Sequence, residues 1–167
     1  MLSVNEQTFY YVFFILQIPI IVFIDSASVL PEKYHLAPNV LNWYINYNND
    51  FLLYENPIWF QWFVVVDLIF QLPFFIYITR SFNKLWMIRH KKGEKPKPAA
   101  QDLWRKMSIA LRLYGLNASF TTFICIWNIL ARAYYPLTGL PMSSSDKLWL
   151  LGLYVPYFII PFRLLFV

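Results

Sequence analysis

Residues 57–80 read PIWFQWFVVVDLIFQLPFFIYITR. The run is apolar for about twenty residues, the length that crosses a bilayer as a helix. Near its centre stands Asp67, followed one turn later by Gln71 and then by Pro73. A carboxylate at the bilayer midplane costs roughly 2.5–3.5 kcal/mol on insertion scales, so it faces a protein cavity or a partner.

The rest of the chain fits a membrane reading. It is 59% hydrophobic and 21% aromatic but only 14% charged, against about 25% charged in soluble domains. A soluble chain of 167 residues has no core large enough to hide that surface. The single cysteine, Cys125, precludes an intrachain disulfide. No basic region precedes the first apolar run, so the first span is expected to stay in the mature protein.

Four spans are expected: Thr8–Leu30, Pro57–Arg80, Met107–Ala133, and one from Asp146 or Lys147 onward, with Ser145 or Asp146 as its cap. Pro19, Pro73, Pro156 and Pro161 interrupt three of them and predict kinks. Between the first two spans, Leu41, Tyr44, Ile45 and Asn48 share a helical face. A short interfacial helix and a solvated loop both fit this segment. Gly115 and Ser119 form a small-xxx-small pair that lets helices approach closely. The fold class is thus an all-α membrane protein, a four-transmembrane-helix bundle with kinked helices and a short lumenal helical segment. Residues 1–167 are read as one transmembrane domain, with no internal repeat.

The net charge of +5 has a local origin. Nine of the fourteen Lys and Arg lie between Arg80 and Lys106, around the segment Ser81–Gln101. Such an excess keeps a short loop cytoplasmic and predicts both termini in the cytosol. Anionic membrane lipid is a secondary partner for it. No nucleic-acid fold or aromatic interleaving accompanies the basic residues, so nucleic acid is not an expected partner.

Three carboxylates matter: Asp25, Asp50 and Asp67. Asp67 lies about ten residues, roughly 15 Å, past Pro57. Asp25 and Asp50 approach the same side, so all three are candidates for one cavity opening to the lumenal half. Phe60, Phe63, Asp67, Gln71 and Phe74 share one helical face, and Tyr154 and Tyr157 share another. Carboxylates among aromatic rings suit a cationic amphiphile, through ion pairing and cation–π attraction. An apolar wall with few polar groups also suits a sterol. The competing reading pairs Asp67 with Arg112 for helix assembly alone and makes Gln71 interhelical glue. No metal and no cofactor is expected: His35 and His90 lie in loops without a second ligand at metal spacing.

Several blocks carry a resemblance. These are Ile18-Pro19-Ile20 with Phe23, Asp25 and Val29-Leu30-Pro31; Trp43-Tyr44; Phe70-Gln71-Leu72-Pro73-Phe74-Phe75; and Tyr154, Pro156, Tyr157 with Ile160-Pro161-Phe162. They resemble the EXPERA-domain family, and within it the sigma-2 receptor branch. The resemblance implies an endoplasmic-reticulum homodimer with a pocket for sterols or cationic amphiphiles. It implies that Asp25 pairs with a ligand amine and that Asp50 supports it. Asp67 stands where that branch usually has Glu, one methylene longer. Gln71, Tyr44, Phe60, Phe63, Tyr154 and Tyr157 match pocket-lining positions. Fungal relatives are associated with targeting of mitochondrial precursors, animal relatives with cholesterol trafficking. The same superfamily includes five-span sterol isomerases, which place a His one turn before the acid. Here that position is Phe63, so the acid–base pair is incomplete. The expected activity is therefore binding, with an isomerase and a ligand-free interaction protein as alternatives.

Overall fold

The structure, a computed structural model, describes residues 2–89 and 98–167. Lys91, Lys92, Lys95, Lys97 and His90 of the basic segment lie outside the described residues. Among the described residues, four helices are long and apolar enough to cross a membrane: Val4–Val29, Ile58–Ile88, Pro98–Arg132 and Ser144–Phe166.

The first helix opens on a capping box. The Glu6 amide donates to Ser3 Oγ at 3.3 Å, and the Ser3 amide donates to Glu6 Oε2 at 2.8 Å. The helix ends where Leu30 turns extended before Pro31. Between the first two spans lie two short helices, Pro38–Asn48 and Phe51–Glu55. This settles the segment in favour of a helix over a solvated loop. Asn49 and Asn56 end these helices at φ 53° and 45°, a left-handed conformation that Asn tolerates better than most residues.

Several span ends differ from the sequence reading, and the first helix begins at Val4 rather than Thr8. The second helix continues to Arg89 and the third begins at Pro98, so much of Ser81–Gln101 is helical rather than loop. Its charges mask a buried stripe: Ile78, Phe82 and Leu85, at helical spacing, pack with Ala100 and Met107. At 35 residues the third helix is about 52 Å long, well beyond a hydrocarbon core of about 30 Å. The cap of the fourth helix is Ser143 rather than Ser145 or Asp146, which lie inside the first turn; Ser143 Oγ accepts the Asp146 amide at 3.2 Å.

The third and fourth helices pack most extensively, around Gly115. A β-carbon built there would lie 2.6 Å from the Pro161 carbonyl oxygen and 3.2 Å from Leu164 Cβ. Ser119 Oγ reaches the Phe158 carbonyl at 3.5 Å on the next turn. The small-residue pair thus marks the close approach. Outward faces stay apolar: Leu113, Leu116, Phe120, Phe123 and Trp127 of the third helix are all exposed, as lipid contact requires.

Two buried clusters divide the interior. One gathers Phe14, Phe74, Phe75, Phe82, Met107 and Tyr114; the other gathers Phe51, Leu52, Phe60, Cys125, Ile129 and Leu150. Between them the helices part around a cavity.

Candidate ligand-binding site

Two of the four spans leave α-helical geometry where their acids stand. Ile21–Asp25 and Asp67–Gln71 are π-helical, and the two segments pack against each other. In the second helix Pro73 supplies a cause, because its ring clashes with the carbonyl four residues back, inside the widened turn. The wide turn also shifts the helical phase of the residues beyond it. Phe74, expected on the same face as Asp67, instead stacks on Tyr114 at 4.9 Å and meets Phe14 edge-on at 5.5 Å.

A cavity of about 210 Å³ lies between the helices at this level. Its walls include Asp25, Tyr44, Phe60, Phe63, Asp67, Gln71, Tyr154 and Tyr157. The structure thus brings eight of the nine sequence candidates together. Asp50 stands behind the wall. It is fully buried, and its Oδ2 accepts the Tyr154 hydroxyl at 2.8 Å. Its Oδ1 accepts the Leu52 and Leu53 amides at 3.1 and 3.2 Å, capping Phe51–Glu55. Burial pushes the Asp50 carboxyl above its ordinary range, while these three donors pull it back. Burial, and then the charge of Asp50, push the Tyr44 phenol up.

The acids in the wall have no cationic partner among the described residues. Gln71 Nε2 donates to Asp67 Oδ1 within the same helix, so it is not interhelical glue. The pairing of Asp67 with Arg112 does not occur. Arg112 is exposed and donates through Nε to the Val167 carbonyl. Its position puts it on the outer side of the third helix, while the neighbouring Leu111 and Tyr114 face inward.

The sequence reading missed the wall supplied by the third helix: Tyr114, Ala118, Thr121, Thr122 and Cys125. Their spacing of four, three, one and three marks one helical face. Gln17, eight residues before Asp25, adds a polar group from the first helix.

The architecture defines a helical membrane protein with an acidic and aromatic cavity between its spans. The EXPERA (EXPanded EBP superfamily) pattern matches residues 36–167, and the chain belongs to that family. It is 42% identical over 167 residues to efficient mitochondria targeting-associated protein 19 of Saccharomyces cerevisiae, covering 98% of this chain and 97% of that one. It is 30% identical over 159 residues to human sigma intracellular receptor 2, covering 92% and 81%. The Schizosaccharomyces pombe protein of the first name is 25% identical over 161 residues, covering 94% and 71%.

Proposed function

We propose that this protein binds a cationic amphiphile or a sterol within the membrane and performs no chemistry on it. The observation that carries the reading is the convergence of Asp25 and Asp67, without a cation from the described residues, on a cavity walled by Phe60, Phe63, Tyr44, Tyr154 and Tyr157. An ammonium group would supply the missing positive charge, and the rings would surround it. The cavity is smaller than the roughly 300–1,000 Å³ of drug-sized sites, which suits an amine head and its adjoining rings. Phe63 one turn before Asp67 supports binding over proton transfer, since a phenyl ring carries no titrating proton.

The basic residues around Arg80 to Lys106 favour cytosolic termini. The family relationship favours the endoplasmic-reticulum membrane and a homodimer. The relatives' names suggest a receptor-like binding role and a part in mitochondrial targeting, alongside sterol handling.

Saturation binding of a tritiated cationic amphiphile tests the site. Removing one partner of a desolvated charge pair costs about 2–5 kcal/mol, so Asp25→Asn should weaken binding about thirtyfold or more. Thermal stability should hold, because the Asp25 carboxylate holds no cationic side chain of the described residues in place. Unchanged affinity in Asp25→Asn would remove the cavity as the binding site.

A further inference from the structure

Helix Pro38–Asn48 carries three separate stripes. The inner one is Leu41, Tyr44, Ile45 and Asn48. Ile45 and Asn48 are buried, Tyr44 lines the cavity, and Asn48 Oδ1 accepts the Trp149 indole N–H at 3.2 Å. Two stripes remain exposed. Asn39, Asn42 and Asn46 form one; Val40, Trp43 and Tyr47 form the other. At 3.6 residues per turn the three stripes point roughly 100–145° apart.

A helix lying between a core and water needs only two faces. This one sorts its exposed surface again, into amide and aromatic halves. The aromatic stripe carries no charge. Trp43 and Tyr47 are 61% and 63% exposed and stack on each other at 5.5 Å. The helix packs against Ile21–Asp25, at least four residues short of the first span's end at Val29. That is about 6–12 Å inside the end of the first span, and Trp and Tyr are the residues that prefer the interfacial zone near a span's end.

We propose that Val40, Trp43 and Tyr47 seat this helix in the headgroup–acyl boundary of the bilayer. The Asn stripe then faces water and the third stripe closes the cavity. The occupant of the exposed aromatic face is lipid, and lipid contact fixes where Tyr44 sits in the cavity wall. Ring bodies with polar tips match that boundary, whereas open water would leave three apolar side chains uncovered.

Variants with one added cysteine, nitroxide-labelled in phosphatidylcholine vesicles, read each stripe by collision with oxygen and with a water-soluble nickel chelate. The unsubstituted protein, whose Cys125 is buried, serves as the blank. Val40→Cys, Trp43→Cys and Tyr47→Cys should give an oxygen-to-nickel ratio several-fold above Asn39→Cys, Asn42→Cys and Asn46→Cys. Equal nickel access on the two stripes would overturn the proposal. So would an aromatic stripe shielded from both reagents, which would mean a protein cover. A label-free arm compares the parent with Trp43→Phe. The Trp43 emission should be quenched by bromines placed near the lipid headgroup, and quenching by aqueous iodide alone would refute the seating.

Discussion

Replacing Gly115 with alanine puts a methyl group where the third and fourth helices touch. The added carbon would lie 2.6 Å from the Pro161 carbonyl oxygen, against about 3.3 Å for a close carbon–oxygen contact. The obstacle is backbone, so no rotamer relieves it; the helices must part by about 0.7 Å. Overpacking of this kind costs about 1–3 kcal/mol. For a chain of this length each kcal/mol lowers Tm by about 2–4 °C, which gives a loss of about 2–12 °C. A thiol-reactive dye reads the unfolding, since the single cysteine, Cys125, is buried in the fold. Gly152→Ala is the internal control. Nothing lies within 4 Å of its β-carbon, and alanine favours the helix by up to about 1 kcal/mol. Its Tm should hold or rise. Equal Tm for the two variants would refute the close approach and the placing of the fourth helix against the third.

Tyr154→Phe should remove one of the three donors that hold Asp50, costing about 1.5–3 kcal/mol while the carboxylate is ionised. Burial raises Asp50 above its unfolded value, so the folded state binds that proton more tightly. Asp50 therefore supports the fold most at acid pH, and its contribution falls as pH rises through the folded value. Losing the Tyr154 donor raises that value further, so the variant's Tm deficit should be larger at neutral than at acid pH; a deficit independent of pH would contradict this. Exchanging charges in Asp67→Arg with Arg112→Asp should not rescue either single variant, because Arg112 reaches the Val167 carbonyl instead. Full recovery of Tm in the double variant would restore the assembly pair.

The four spans were legible because nothing but a membrane explains apolar runs of that length. Their ends were not. Around Phe82 and Leu85 the charges dominate composition, while the buried stripe needs only one residue in three or four. Asp25 and Asp67 announced the cavity because a carboxylate in a span is costly. The wall from the third helix was silent, since Thr121, Thr122 and Cys125 cost little there and stand out only by spacing. Phe74 was misplaced because a widened turn breaks the 3.6-residue phase, and Pro73 was the sign of it. Asp50 reads as one more acid of the group. Its place behind Tyr154 comes from capping Phe51–Glu55, a five-residue helix that no sustained periodicity announces.

Whether an amine sits between Asp25 and Asp67 is tested most directly by a crystal structure of the protein with a bound cationic amphiphile. Density is expected in the cavity between the two buried clusters, with the nitrogen about 2.7–2.9 Å from an Asp25 carboxylate oxygen. An empty cavity at saturating ligand, or an amine held away from both acids, would contradict the binding role proposed for them.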